Sequence, residues 1–455
     1  MNKFKKRITR KEKRTKEDEI NFFVEFLKVK KHFFKDIIKQ FKKVKDPRHQ
    51  SYIEYGTEIL LLSIIMKNVF CIESMNEMTD KFNKEECIEN MAKILGYESL
   101  EEIPRYDTVN DFLTKLKTSE IEKIRDYMIK ELLKKRSLEN YRILDKYWGI
   151  AIDGTELYSF KEKHCEHCLK REYKNKETGE IKLTMYHHAV LEAKLVIGNM
   201  VFSIATEFIE NEDENITKQD CEINAFKRLA PKLKKKYPQL PICILADSLY
   251  TCEPILEICK KNNWKYLLRF KEGRIKTVAK EFDTLSKYNG ESTDSCIWVN
   301  DIEYKKNTVN IIEAEMDVAI DGEEPSKMNI NKKEKKVTFL FMTNINITTK
   351  NADKIVEAGR SRWKIENEGF NDQKNNKYKI KHANSLNYNA MKNHYLITQI
   401  ADILRQLFEK GFEKIRSLNE SIKKISMLLL ESFRMRMITE EDILSTQRRT
   451  QVRFL

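Results

Sequence analysis

The chain has 455 residues; hydrophobic residues make up 41% of it and charged residues 34%, which indicates a folded protein of roughly two to four domains. Only 12 Gly and 7 Pro are present, so collagen-like and low-complexity classes are excluded. No glycine-rich nucleotide loop of the GxGxxG, GxxxxGKS or GxxxxGKT type occurs. Lys and Arg number 85 against 71 Asp and Glu, and the formal net charge of +14 indicates a polyanionic partner, most simply nucleic acid.

The cysteine usage and the basic start of the sequence favour an intracellular protein. Residues 1–16 contain nine Lys and Arg and one Glu, with no apolar stretch of the signal-peptide type behind them, and the nine cysteines are scattered. The longest apolar run, residues 59–66, is far shorter than the roughly 20 residues that a membrane helix needs. We therefore expect a reducing, cytoplasmic environment, no membrane segment, and a basic tail that contacts phosphates.

Apolar spacing predicts a helical N-terminal module over residues 17–145. Apolar side chains recur every three or four positions, for example at Ile20, Phe23 and Phe26. A break at residues 46–48 separates the first helices from the buried-looking run that follows. This module is a candidate DNA-binding region, although it contains no identifiable helix-turn-helix.

A change of pattern near residue 148 predicts a mixed sheet. Three apolar runs in succession, residues 148–153, 185–196 and 200–209, indicate strands, and Gly198 predicts a tight hairpin turn between the last two. The pattern then predicts a helix (217–236), a strand (241–247), a helix (253–262) and a strand (264–270). This order predicts an α/β fold with a mixed five-stranded sheet covered by helices.

The remainder of the chain predicts a second change of character. Strand and turn patterns over residues 274–348 indicate a β-rich insertion with a polar tip at 321–333, and helical patterns resume at residue 351. The predicted organisation is therefore a tail (1–16), a helical module (17–145), a catalytic domain in two pieces (146–273 and 349–410), the insertion (274–348) and a helical, basic C-terminal region (411–455).

Two aspartates follow predicted strands of the sheet. Asp153 closes the first strand and Asp247 closes the fourth, so the two carboxylates lie side by side if these strands are neighbours. Two adjacent carboxylates raise each other's pKa unless a cation lies between them, and oxygen ligands of this kind suit Mg²⁺ or Mn²⁺. The alternative is that each Asp only forms a turn or caps a helix.

A third acid is expected from the helix after the insertion. Arg362 and Glu366 are four residues apart and share a helix face, whereas Glu368 points about 200° away around the helix. Taken alone, an Arg–Glu pair at this spacing is usually a solvated surface salt bridge. The pair becomes a candidate for a site only together with Asp153 and Asp247.

Three segments of the sequence carry a resemblance to a known family. AIDGTE (151–156), ILADSLY (244–250) and RSRWKIEN followed by GF (360–367, 369–370) resemble the signatures of DDE transposases of bacterial insertion sequences. The resemblance is to the subgroup with a β insertion between the second Asp and the Glu. It covers roughly residues 145–410, with a looser likeness in the N-terminal module.

The resemblance implies an RNase H-like catalytic domain with two Mg²⁺ or Mn²⁺ ions held by Asp153, Asp247 and Glu366. It implies hydrolysis of a phosphodiester at each end of the element and attack of the resulting 3′-OH on target DNA. The implied partners are transposon ends, target DNA and further copies of the chain, as a dimer on DNA. The implied location is the bacterial cytoplasm in association with the nucleoid.

The sequence departs from the subgroup at two positions. The tyrosine three residues before the Arg is Gly359, and the lysine seven residues after the Glu is Gln373, with Lys374 one position later. In relatives these two residues hold terminal phosphates, so the details of end binding and of any hairpin intermediate stay open. Arg362, which matches the signature directly, and Lys374 are the expected DNA contacts. The two departures leave open a catalytically inactive, transposase-derived DNA-binding protein. A second alternative is an RNase H-fold endonuclease without strand transfer, which would differ from a transposase in its products.

Two further features have competing interpretations. Trp298 in the insertion could stack on a flipped DNA base, as aromatic residues do in relatives, or it could belong to the core of a small β layer. Cys165 and Cys168, with His164 and His167 beside them and with His187 and His188 on the next predicted strand, could form a structural zinc site. A second regular ligand pair is missing from the sequence, so a polar loop between the first two strands is the favoured interpretation.

Overall fold

The computed structural model describes residues 20–211, 218–288, 290–319 and 334–448. The predicted basic tail (1–16) and the polar tip (321–333) lie outside the described residues. The chain divides into two compact units. Unit one comprises the described residues up to Leu138, Leu157–His187 and the described residues from Gly369 onward, and unit two comprises Glu139–Glu156 and the described part of His188–Glu368.

Unit one is mainly helical, in line with the periodicity before residue 145. The α-helices of its first part are α1 (Phe22–Phe33), α2 (Ile37–Lys42), α3 (Thr57–Val69), α4 (Met75–Phe82), α5 (Glu85–Leu95), α6 (Tyr106–Lys115) and α7 (Thr118–Leu133). Short 3-10 helices cover Gln50–Tyr52 and Arg136–Tyr141. Apolar side chains along these helices form a core that includes Phe26, Leu60 and Phe112.

A long helix from the end of the chain lies at the centre of unit one. Helix α12 (Tyr388–Gln406) is buried over almost its whole length and packs on α3, α6 and α7. Polar side chains on it are satisfied within the core: the Asn393 amide donates to the carbonyl oxygens of Leu113 and Leu116, at 2.9 and 2.8 Å. The later helices are α13 (Glu413–Arg416), α14 (Ile422–Met435) and α15 (Glu440–Gln447), and a π-helical turn covers Leu407–Gly411.

Unit two is built around a mixed β-sheet. The strands are β1 (Trp148–Phe160), β2 (Leu169–Lys174), β3 (Ile181–Ile197), β4 (Met200–Ile209), β5 (Ile242–Ala246), β6 (Lys265–Phe270), β7 (Glu291–Ser292), β8 (Cys296–Tyr304), β9 (Asn307–Ala319) and β10 (Glu334–Thr343). Strand β2, the last part of β1 and the first part of β3 belong to unit one. Among the described residues the order is β4-β3-β1-β5-β6-β10-β9-β8-β7, with β2 pairing the first part of β3. Strand β5 runs parallel to β1 and to β6, as the predicted helical crossovers require.

Helices flank the sheet of unit two. They are α8 (Glu222–Lys236), α9 (Glu253–Lys261), α10 (Lys276–Tyr288) and α11 (Ala352–Arg360). Helix α8 packs on β4, α9 packs on β6, α10 packs on β8, and α11 packs on both β6 and β9. A π-helical segment, Ile365–Lys377, follows α11. The β3–β4 hairpin turns at Gly198, whose φ of +57° is a left-handed conformation that favours glycine.

The structure differs from the sequence prediction at four points of secondary structure. The predicted β-rich segment 274–348 begins with helix α10. Its strands β7–β10 extend the main sheet, because β10 pairs antiparallel with β6. The expected polar loop between the first two strands contains strand β2. Strand β1 continues to Phe160, so Asp153 lies inside it rather than at its end.

No helix within the described ranges combines the length and apolar character needed to cross a bilayer.

Candidate active site

Asp153 and Asp247 emerge from two neighbouring parallel strands of unit two. The β1–β5 register pairs Trp148 with Ile242 and Ala151 with Leu245, so its continuation by two residues places Asp153 opposite Asp247. Asp247 follows the last residue of β5, and its Oδ1 accepts a hydrogen bond from the backbone N–H of Leu249 at 2.8 Å, which caps a short 3-10 turn. The two carboxylates therefore share one end of the β1–β5 pair.

Arg362 and Glu366 approach this end of the sheet from the segment after α11. Nη1 of Arg362 lies 3.5 Å from Oδ2 of Asp153, and the Arg362 side chain is only 10% exposed. The same segment is anchored by the buried side chain of Ile365 and by Lys364, whose Nζ donates to the carbonyl oxygen of Gly198 at 2.5 Å. Glu366 is exposed to solvent at the beginning of the π-helical segment.

The electrostatics of Asp153 reflect its acidic surroundings. Burial raises the pKa of Asp153 to about 7, and Glu222, Asp247 and Glu366 raise it as well, whereas only Arg362 lowers it. Several carboxylates around one buried carboxyl group are a donor set for a divalent cation, because such an ion removes the repulsion between them. The residues present therefore fit Mg²⁺ or Mn²⁺, with oxygen ligands from Asp153, Asp247 and Glu366.

Glu222 is a fourth acid of this cluster, and the sequence analysis missed it. It is the first residue of α8, and its Oε2 accepts a hydrogen bond from the Tyr250 hydroxyl at 3.0 Å. Burial and Asp247 raise its pKa, while the Tyr250 hydrogen bond lowers it. Gly154 makes room for this carboxyl group, because a Cβ built on Gly154 would lie 2.5 Å from Cδ of Glu222. The one feature of the sequence that could have indicated Glu222 is its position as an acid at the start of the helix that precedes β5.

The two departures from the subgroup pattern have structural explanations. A Cβ on Gly359 would lie 2.7 Å from two ring carbons of Phe341, so α11 packs on β10 too closely for a larger side chain. Gln373 is buried in unit one, where its amide nitrogen donates to Gln399 at 3.0 Å and to Asp402 at 2.7 Å. Lys374 is half-buried, with Nζ 5.7 Å from the centre of the Phe370 ring.

Trp298 and Trp363 differ in their exposure. Trp298 on β8 is 1% exposed, so its ring is part of the core of unit two and is not accessible for stacking on a base. Trp363 is 48% exposed, and the Arg362 guanidinium lies 5.0 Å from the centre of its ring.

A second cluster of ligating side chains contains both cysteines of the sequence prediction. His164, Cys165, Cys168 and His188 each offer one ligand atom, and these atoms lie within 4.8 Å of one another. In the described part of the chain this is the one His/Cys/Asp/Glu group with that spacing.

Comparisons with known proteins give the family of the chain. Residues 145–403, more than half of the chain, match the family model described as the transposase DDE domain. A solved structure, the synaptic complex of the piggyBac transposase with hairpin DNA, is similar with a TM-score of 0.41 and 11% sequence identity, over 94% of this chain and 83% of that chain. No curated protein sequence matches the chain. From the family match, we conclude that this chain belongs to the DDE transposase family.

Proposed function

We propose that this protein cuts DNA at the ends of a mobile element and joins the exposed 3′-OH to target DNA, with Asp153, Asp247 and Glu366 as its catalytic acids. The observation that carries the proposal is the effect of Asp247 and Glu366 on Asp153: both come from distant segments of the chain, and both raise its pKa. Family membership supports the same assignment, since the match spans all three residues.

The arrangement of strands supports an RNase H-like catalytic domain. Its five strands are β4, β3, β1, β5 and β6 in that order, and helices α8 and α9 pack on the outer strands β4 and β6. In this proposal residues 146–273 and 349–410 form the catalytic domain, and residues 274–348 are an insertion that lengthens its sheet. The two aspartates then occupy adjacent strands of the domain, as the reaction requires.

The proposed cofactor is Mg²⁺ or Mn²⁺, with two ions held by Asp153, Asp247 and Glu366. Ions held by these residues would supply activation of the attacking oxygen and charge stabilisation of the leaving oxygen of the phosphodiester. Asp153 must give up the proton that its surroundings favour before it can act as a ligand, and Arg362 at 3.5 Å assists by stabilising the carboxylate. Tyr250 fixes the orientation of Glu222 and keeps this fourth carboxyl group beside Asp153.

The proposed DNA contacts are Arg362 and Lys374, together with the basic residues that give the chain its charge of +14. Phosphate contacts by Lys and Arg supply affinity and salt dependence without reading the sequence. Trp298 is left out of this set because its ring is buried. We further propose a dimer on paired transposon ends, which light scattering of the protein with and without end DNA would test.

The experiment that tests the proposal uses the full-length protein and DNA that carries both flanks of its own gene. The DNA is incubated with Mg²⁺ or Mn²⁺, and the 3′ ends of the products are mapped. The expected result is metal-dependent cleavage at fixed positions and joining of the new 3′-OH to added target DNA. Asp153→Asn should abolish both steps and leave DNA binding intact, whereas the exposed control Asp294→Asn should be active.

Other outcomes would support the alternatives. Metal-dependent cleavage without joining would favour an endonuclease without strand transfer. Tight binding without any cleavage would favour a catalytically inactive DNA-binding protein. If Asp153→Asn loses DNA binding as well as cleavage, the assignment of the acids to a metal site is contradicted.

A further inference from the structure

We propose that His164, Cys165, Cys168 and His188 form a structural zinc site, which is separate from the acidic cluster of the proposed active site. The four ligand atoms lie within 4.8 Å of one another. Two thiolates and two imidazoles in a tetrahedral arrangement are a ligand set that zinc prefers. The sequence analysis favoured a polar loop here, because the second pair of ligands does not follow a regular spacing.

The local backbone brings the two thiols together. The N–H of Cys168 donates to the carbonyl oxygen of Cys165 at 3.4 Å, which closes a turn and places the two Sγ atoms 3.5 Å apart. A tetrahedral zinc ion with Zn–S bonds of about 2.3 Å separates two sulfur ligands by about 3.8 Å. A disulfide would require about 2.05 Å between the sulfur atoms, so the separation fits two metal ligands and not a covalent bond.

The first histidine is positioned by an aromatic neighbour. The His164 ring packs edge-on against Phe160 with the ring centres 4.1 Å apart, and its Nδ1 lies 3.5 Å from Sγ of Cys168. A zinc ion bound to both atoms would separate them by about 3.6 Å, given bonds of about 2.3 and 2.05 Å. His164 can therefore act as the third ligand with little movement of its side chain.

The fourth ligand comes from strand β3. His188 directly follows His187, which pairs with Leu169 at the start of β2, so the strand itself carries His188 to the side of the Cys165–Cys168 turn. Successive side chains of a strand point to opposite faces, which explains why His188 and not His187 belongs to the cluster. The sequence places His187 and His188 on this strand but does not show which of them faces the two cysteines, because β2 and the β2–β3 register were not predicted.

Burial indicates a closed, structural site. His188 and Cys168 are 2% and 3% exposed, and His164 and Cys165 are half-buried. Four protein ligands leave no open coordination position for a substrate, which is the usual difference between structural and catalytic zinc. Bound zinc would fasten the loop that precedes β2 to β3 and would add its binding free energy to the stability of this hairpin.

The first test is the metal content of the full-length protein, purified under reducing conditions from zinc-supplemented medium. We expect one zinc per chain after dialysis. Replacement by Co²⁺ should give the visible bands of a tetrahedral ion and a thiolate-to-cobalt charge-transfer band. Protein without bound zinc, or cobalt spectra without the charge-transfer band, would overturn the proposal.

The ligand set is tested by variants with matched controls. Cys168→Ser and His188→Ala should lose the zinc, while His167→Ala and Cys221→Ser should keep it, because neither residue belongs to the cluster. His188→Cys guards against the loss of zinc through misfolding, since three thiolates and one imidazole also bind zinc. It should retain zinc and strengthen the cobalt charge-transfer band. Equal zinc content in Cys168→Ser and wild type would overturn the assignment.

Discussion

Arg362 lies 3.5 Å from Asp153, and yet the pKa of Asp153 is raised to about 7 rather than lowered. One guanidinium group does not offset burial and three neighbouring acids. The cluster is therefore arranged for a stronger positive charge than the chain itself supplies, which agrees with a site for divalent ions.

In buffers without added Mg²⁺ or Mn²⁺, we expect the stability of the protein to fall as the pH rises from about 4 to about 7. The pKa of Asp153 is about 7 in the folded state, against an ordinary value of 3.8 in the unfolded chain. Between these two pH values the folded state therefore binds more protons than the unfolded state. Each pH unit in this window then costs at most about 1.4 kcal/mol. Thermal unfolding at pH 5 and pH 8 measures the difference. Asp153→Asn should reduce it, and the exposed Asp294→Asn should not.

The same proton makes metal binding dependent on pH. A divalent ion must displace it from Asp153, so the affinity for Mn²⁺ should rise as the pH increases through 7. Titration calorimetry at pH 6 and pH 8, in two buffers of different ionisation enthalpy, measures both the affinity and the protons released. Equal affinities without proton release would contradict the placement of Asp153 at the metal site.

Glu366→Gln should abolish cleavage, and Glu368→Gln should leave most of it. Glu366 raises the pKa of Asp153. Glu368, two residues further along the segment, is the competing acid that the resemblance to DDE transposases does not assign to the site. Loss of a metal ligand should exceed the roughly 10- to 100-fold effect of changes outside the ligand shell. The rate of end cleavage under single-turnover conditions compares the two variants. Equal losses in both would argue against Glu366 as the third acid.

Gly154→Ala should destabilise the protein through Glu222. The added Cβ would lie 2.5 Å from the Glu222 carboxyl group and would displace it from Tyr250, at a cost of about 1 kcal/mol for the hydrogen bond. Urea unfolding measures the effect, and Gly273→Ala is the control, because a Cβ there meets nothing within 4 Å. In a Glu222→Ala background, Gly154→Ala should not lower the free energy of unfolding. A cost that persists in this background would show that another contact is responsible.

Gly359→Ala should be destabilising by about 1–3 kcal/mol, and Gly359→Tyr by more, because the added atoms would overlap the buried ring of Phe341. Without this contact, alanine in helix α11 would instead stabilise the protein by up to about 1 kcal/mol. The sign of the change in unfolding free energy therefore decides between the two cases. Phe341→Leu should relieve most of the cost of Gly359→Ala.

The strand order around Asp153 and Asp247 was predictable because parallel strands with helical crossovers have few arrangements. The β3–β4 hairpin follows from local patterns of apolar residues and from Gly198. The pairing of β1 with β5 was a condition in the sequence analysis, and the continuation of β1 beyond Asp153 was not predicted. Glu222 was not predictable in the same way, because its place depends on how α8 packs and on the absence of a side chain at Gly154. For Trp298 the sequence left base stacking and a core position open, and the pairing of β8 with β9, which no local pattern reveals, accompanies its burial in the core.

The continuation of β1 beyond Asp153 has a consequence for motion within the site. Asp153 lies inside strand β1 and is held by the backbone hydrogen bonds of the sheet. By contrast, Asp247 caps a short 3-10 turn and Glu366 is the second residue of a π-helical segment. Adjustment of the site during a reaction cycle should therefore occur in the latter two segments, with Asp153 as the fixed reference. Amide hydrogen exchange should accordingly be slow around residue 153 and faster around residues 248 and 366.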